Sequence, residues 1–474
     1  MSDSSLDSAA PLRPSLGAGV VSYEADPGYV WPADEAVRQR LSRWQGLKFG
    51  IIVHWGLYAA LGEDGSWTLC RSRDEGCMQI PAEFDGDDDA WQEHYVSSRK
   101  SFTGSAFDAS EWMDAIDGAG ARYVVLTTKH HDGFSMFDTA LSDYKSTAAD
   151  VPFGRDFVAE LTSQAAARGL RTGLYFSKAD WHHPGYWAPD RAPVDRFHNH
   201  DDPRLWSQFV DFTHGQLREL LTGYGEVDVL WLDAGWVKAP REDVKINELA
   251  TLARQLRPGI LVVDREVHTS VEDYRTPEQR IPDGRLDHPW ESCITLTDHW
   301  CTVPDPGPRK SVREVAQLLV TIVARGGNLL LGVGPDGEGR MPDDIAESLR
   351  AIGEFVTSIG PAIFDTRPVT EGVVSGIGGS EQLVDDQGRT WWLTQAGDRI
   401  NLIHLHEPGS VNDGLLRIPL AAEPRDVQVS GSQRSTGWRW IDGAAVVGLA
   451  GDDAGSEVPT TVVSIELVAT GPEH

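Results

Sequence analysis

The chain has 474 residues, 40% of them apolar and 17 of them tryptophan, enough for a large core and more than one domain. Lys and Arg number 42 against 72 Asp and Glu; the resulting formal charge of −30 repels phosphate backbones and anionic lipid headgroups, which argues against nucleic acid and membrane surfaces as partners. No run approaches the roughly 18 consecutive apolar residues of a membrane span, and the start, MSDSSLDSAAPLRP, lacks the basic-then-apolar layout of a secretory leader, so a cytoplasmic location is expected. Cys70, Cys77, Cys293 and Cys301 are too few for a disulfide scaffold and form no CxxC pair, and are expected to be buried or incidental thiols.

Residues 1–40 are polar and interrupted by Pro and Gly, and read as an N-terminal arm. From Lys48 the pattern changes to short apolar runs: FGIIVHW (49–55), YVVLTT (123–128), RTGLYFS (171–177), VDVLWLD (227–233), ILVVD (260–264) and NLLLGVG (328–334). Such runs fit parallel strands buried on both faces. Helical stretches separate them, at 108–118, 156–168, 205–222, 247–256 and 312–324, with a last helix near 343–359. Strand followed by helix, repeated over residues 41–360, predicts an α/β fold, an irregular (β/α) barrel of TIM type. From 361 to 474 the segments shorten and alternate (RTWWLTQ, INLIHLH, LLRIPL, DVQVSG, TTVVSIELV), which predicts a C-terminal antiparallel β-sandwich.

In a parallel barrel, reacting groups project from the C-terminal strand ends. Those ends carry His54 and Trp55, then Lys129, His130, His131 and Asp132, then Trp181, His182 and His183, then Asp233, then Asp264 and Arg265. A single strand-end histidine is more often structural than functional, but five polar ends together describe one mouth. Asp233 stands out, because an acid that closes so apolar a run must be paired or used. Glycoside cleavage needs a second carboxylate. Glu272, Asp273, Glu278, Glu266 and Glu291 are all near in sequence, and spacing does not choose among them.

The stretches KFGIIVHWGLYA (48–59), YVVLTTKHHDGFSMFDT (123–139), GLYFSKADWHHPGYW (173–187), VDVLWLDAGW (227–236), DYRTPEQ (273–279), HPWESCITLTDHW (288–300) and RGGNLLLGVGPDGEGRMP (325–342) give the chain a close resemblance, in order, to the α-L-fucosidases of glycoside hydrolase family 29. The resemblance implies a retaining exo-glycosidase acting on an oligosaccharide or small α-L-glycoside, with no metal or other cofactor; homo-oligomerisation is left open. It implies Asp233 as nucleophile and Glu278 as general acid/base, with Glu291 and Glu266 as fallbacks. His54, Trp67, His130, His131, Trp231 and Arg265 would bind the sugar, and Tyr175 would sit beside the nucleophile. One position departs from the family: Ser66 stands where many members carry Glu before the Trp, so Glu63 or Asp64 must supply a replacement acceptor or the preferred sugar shifts to an α-L-glucoside or α-L-galactoside. The competing readings are a metal-dependent hydrolase built on the histidines and a sugar-binding protein without catalysis. Trp391, Trp392, Trp438 and Trp440 are expected to pack within the sandwich or against the barrel rather than to stack on sugars.

Overall fold

The computed structural model describes residues 28–70, 78–188, 199–377, 379–407, 413–451 and 457–468. Most of the expected N-terminal arm, and Cys77, lie outside them. The first part of the chain alternates α1 (Glu35–Leu47), β1 (Phe49–Val53), α2 (Leu57–Ala60), α3 (Asp88–Ser97), α4 (Ala109–Gly118), β2 (Tyr123–Lys129), α5 (Phe157–Ala167), β3 (Arg171–Ser177), α6 (Pro203–Gly223), β4 (Val229–Asp233), α7 (Ile246–Leu256), β5 (Leu261–Asp264), β6 (Glu291–Thr295), α8 (Val312–Ala324), β7 (Asn328–Val333) and α9 (Asp343–Ile363). The seven strands form one parallel sheet in the order β5-β4-β3-β2-β1-β7-β6. Nearly every strand residue is buried, as expected of a sheet covered on both faces. Helix starts follow local chemistry. Asp108 caps α4 through the Ser110 and Glu111 amides, and Ser311 and Glu314 form a reciprocal capping box on α8.

The sheet curls but its two edges, β5 and β6, do not pair. The segment 272–279 runs between them. Asp273 exchanges bonds with Val262 on β5, its amide donating to the Val262 carbonyl and its carboxylate accepting from the Val262 amide. On the other side, Glu291 N–H donates to Arg275 O, Cys293 N–H to Pro277 O, and Gln279 N–H to Cys293 O. This irregular eighth stave bonds to Val262 of β5 and to Glu291 and Cys293 of β6, and so bridges the gap between the two edges.

The arm expected over residues 1–40 ends earlier than the sequence suggested. Residues 35–40 belong to α1, whose Val37, Leu41 and Trp44 form an apolar stripe buried beneath the barrel. Trp44 stacks on Tyr274 of the eighth stave at 3.9 Å, and Arg40 pairs with Asp228 just before β4. At the other boundary α9 continues through Pro361 to Ile363.

Beyond α9, β8 (Gln382–Val384), β9 (Thr390–Ala396), β10 (Arg399–Leu405), β12 (Asp426–Gly431) and β15 (Thr460–Glu466) form one antiparallel sheet, and β11 (Gly414–Pro419), β13 (Arg434–Ile441) and β14 (Ala444–Ala450) a second. Side chains alternate across β9: Trp391 fills the space between the two sheets, while Trp392, with Ile403, Leu405 and Val462, joins the barrel core. Trp438 and Trp440 are half-buried against the sandwich interior. All four therefore pack, as expected. Among the cysteines, Cys293 and Cys301 are free and buried, but Cys70 is disulfide-bonded, which corrects the expectation of four thiols.

Candidate active site

The nucleophile candidate is placed by strand register. Tyr175 and Ser177 on β3 lie beside Trp231 and Asp233 on β4, and alternation turns all four into the barrel. The Tyr175 hydroxyl donates to Asp233 Oδ2 at 2.6 Å, and Arg265 Nη1 donates to Oδ1 at 2.7 Å. His131 Nε2 lies 3.7 Å from Oδ2. Burial alone would raise the Asp233 pKa. The Arg265 charge, His131 and the Tyr175 hydroxyl more than offset it and hold this carboxyl below its usual range, ionised and aimed into the mouth.

The histidines are buried and neutral. Burial pushes His54 down to about 3 and His131 down to about 4, and drives His130 well below its usual value. A register shift in β2 between Thr127 and Lys129 precedes the pair, and the two rings lie 4.2 Å apart. His131 Nδ1 is held by the Ser177 hydroxyl at 2.6 Å, which leaves Nε2 facing Asp233. His130 Nδ1 is held by the Ser66 hydroxyl at 2.5 Å. His54 packs against Tyr175 and His130. Trp67, on the short turn after Ser66, meets His131 edge-on at 5.0 Å.

Glu278 sits on the eighth stave, paired with Cys293, and its carboxylate contacts Arg265 Nη2. One guanidinium thus spans Asp233 and Glu278. The two fallback acids are placed differently. Glu291 lies at the N-terminal end of β6, opposite Asn328, under the barrel floor and away from the mouth. It accepts from Tyr123 Oη and from Trp231 Nε1, and burial raises its pKa to about 7. Glu266 follows Arg265 at 3.5 Å, with a side chain 45% exposed. Trp231 accordingly offers only its ring as a floor under Arg265 and Tyr175, because its N–H is taken by Glu291.

Several expected or overlooked residues have other duties. His182 stacks on Tyr144 at 4.0 Å, and His183 Nδ1 accepts from the Gly185 amide, so this pair shapes its own loop. Lys129 with Asp180, and Lys178 with Asp264, are buried ion pairs that brace the strand ends. Of the two proposed substitutes for the family glutamate, Asp64 is committed to other partners. Both Asp64 oxygens are engaged, by the Trp300 amide at 2.8 Å and by His299 Nδ1 at 2.9 Å. Glu63 is raised to about 7 by burial and by its acidic neighbours Glu83 and Asp64. Sequence reasoning gave no role to Trp300, which packs 4.9 Å from His54. It also missed Trp236, which stands beside His131 together with Trp181, an indole the strand-end pattern had placed at the mouth. An indole closing a strand-end loop was the only signal available for them.

A barrel whose strand ends gather two acids, three neutral imidazoles and several indoles has the layout of a glycoside hydrolase. A model of the alpha-L-fucosidase family matches residues 18–361, and the chain belongs to that family. It is 27% identical over 422 residues to the human tissue alpha-L-fucosidase, covering 86% of this chain and 84% of the relative. With the human plasma alpha-L-fucosidase it shares 30% identity over 348 residues, 71% of each chain. Alpha-L-fucosidase isoenzyme 1 from Paenibacillus thiaminolyticus superimposes with a TM-score of 0.71 at 28% identity, over 92% of this chain and 100% of that one. A Bacteroides thetaiotaomicron alpha-L-fucosidase, described as a trapped covalent intermediate with 2-fluoro-fucosyl fluoride, shares the fold at a TM-score of 0.70 and 22% identity, over 96% of this chain and 100% of that one.

Proposed function

We propose that the protein is a retaining, exo-acting α-L-fucosidase that removes terminal α-L-fucosyl residues from an oligosaccharide or small glycoside. The observation that carries this reading is the Asp233–Arg265–Glu278 arrangement. A buried, ionised carboxylate is held by Tyr175 and Arg265, with a second carboxylate on the other nitrogen of the same guanidinium. Two acids that share one guanidinium favour the close spacing of retaining enzymes, about 5 to 5.5 Å, over the wider spacing that admits a water between them. Asp233 attacks the anomeric carbon while Glu278, in its protonated form and moved from Arg265 to the glycosidic oxygen, gives its proton to the leaving group. A water then enters, Glu278 takes its proton, and the Asp233 ester breaks with net retention. His54 and His131, neutral at working pH, exchange hydrogen bonds with ring hydroxyls without adding charge.

The test is incubation with 2-deoxy-2-fluoro-α-L-fucosyl fluoride followed by peptide mapping, together with NMR of the first-formed product. A fluorofucosyl adduct on Asp233 and an α-configured product are expected; an adduct elsewhere, or an inverted product, would refute the assignment. A second reading, the same chemistry on an α-L-galactoside or α-L-glucoside, is favoured by Ser66 and by the diversion of Asp64 to His299 and Trp300. A panel of aryl α-L-glycosides separates the two by kcat/KM. The metal-hydrolase reading finds no ligand set, since among the described residues no three His, Cys, Asp or Glu side chains gather to hold an ion. Among the same residues no helix is long and apolar enough to cross a membrane.

A further inference from the structure

Directly after Asp233 the backbone turns in a conformation that L residues rarely adopt. Ala234 has φ of 72°, a cost normally carried only where the surrounding structure enforces it. Gly235 completes the turn, because a Cβ there would lie 2.8 Å from Glu266 Cβ and 3.1 Å from the Arg265 carbonyl. The loop after β4 is therefore pressed against the residues beside Arg265, the group that contacts Glu278. The consequence is the position of Trp236. Its ring lies 5.1 Å from His131 and 5.7 Å from Trp67, and parallel to Trp181 at 6.4 Å. Its indole N–H donates to Tyr186 Oη at 3.0 Å, and that hydroxyl donates to Glu242 at 3.0 Å. Trp236 is nevertheless 41% exposed, whereas Trp231 is 2% and Trp181 3%.

An indole fixed by a hydrogen-bond chain at one edge, left substantially exposed, and set beside the imidazole that faces Asp233 is a binding platform rather than core. We propose that Trp236 is the stacking platform of the leaving-group subsite, so that the enzyme takes aglycones presenting a flat apolar face, an aryl group or the apolar face of a pyranose. Tyr186 is the positioning residue that holds the ring. This inference rests on the glycosidase reading above and extends it to the other side of the scissile bond.

The experiment compares 4-methylumbelliferyl α-L-fucoside with α-L-fucosyl fluoride, whose leaving group is a single atom with no face to stack. For Trp236→Ala, kcat/KM is expected to fall about tenfold more on the aryl fucoside than on the fluoride, with most of the loss in KM. Trp236→Phe should recover most of the difference, and Tyr186→Phe should fall between the two. Equal losses on both substrates would place Trp236 in the fucosyl pocket and overturn the subsite alone. A wild-type enzyme inert to both substrates would overturn the functional reading and the subsite with it. Should the alanine variant fail to fold, the phenylalanine variants and the wild-type preference between aryl and alkyl acceptors in transglycosylation decide the matter. Indifference to acceptor planarity would refute the platform.

Discussion

Lys48 closes the link between α1 and β1, and its ammonium is buried without a hydrogen-bond partner among the described residues. Burial, assisted by the Arg367 charge and opposed by Asp365, pulls its pKa down to about 7. In the unfolded chain the same group titrates near about 10.4. The unfolded state therefore binds the proton more tightly, and folding is penalised wherever the unfolded lysine is charged. The penalty is complete below about pH 7 and fades as pH rises toward about 10.4. A gap of roughly 3.5 pH units corresponds to about 4 to 5 kcal/mol at about 1.4 kcal/mol per unit. By pH 9 about 2 kcal/mol of it is left. Lys48→Met keeps the unbranched stem and removes the charge, so it should stabilise the protein, by about 2 to 3 kcal/mol more at pH 6 than at pH 9. Urea unfolding of both proteins at the two pH values measures the difference. An increment that does not change with pH, or destabilisation at both, would refute the account of a buried and unpaired ammonium.

Three further outcomes follow from the site and the packing. Glu278→Ala should lose most activity on substrates with poor leaving groups and regain turnover with azide, whereas Glu266→Ala should show no rescue; rescue in the second variant alone would move the acid/base role to Glu266. Asp233→Asn should lower kcat by about four orders of magnitude or more with the fold retained, and ordinary activity would remove it as the nucleophile. Alkylation under denaturing, non-reducing conditions should label Cys293 and Cys301 and spare Cys70. Such a bond is ordinarily chemistry of an oxidising compartment, so its persistence in protein taken from the native source would argue against a cytoplasmic location.

The parts legible in the sequence were those whose patterns are local. Six of the seven barrel strands are near-continuous apolar runs, and α4, α5 and α8 match the expected spans to within a residue or two. Strand β6 escaped notice because ESCIT carries Glu291, Ser292 and Thr295 at buried positions. It is a strand because Tyr123 and Trp231 reach across the barrel to satisfy Glu291. Helix α3 was hidden for the opposite reason: it buries only Trp91 and Tyr95 in ten residues, too few to give a period. At the site, strand ends announced Asp233, His130 and His131. Nothing local announced that Asp64 would be drawn to the Trp300 amide and His299, since those partners lie more than 230 residues away.

The two carboxylates proposed for catalysis, Asp233 and Glu278, differ in how they are held, and this explains why the strand pattern alone singled out the first while only the family resemblance singled out the second. Asp233 ends a strand paired on both sides, with Ser177 as its neighbour on β3 and Asp264 adjacent to Leu232 on β5. Its distance from Trp231 is fixed by the pleat, so W-x-D is a geometric necessity of a ring floor and a nucleophile on one face. Glu278 rides on a stave that contains Pro277 and meets the β6 edge through isolated bridges, Arg275 with Trp290 and Glu278 with Cys293, rather than through a continuous ladder. Ladder register does not fix its spacing from β5, so its position in sequence is free to vary while its place beside Arg265 is kept. The chemistry asks for the same asymmetry. In the proposed mechanism the nucleophile has to be rigid to attack in line, while the acid/base has to leave Arg265, reach the glycosidic oxygen and then accept a proton from water, which a residue outside the regular ladder can do.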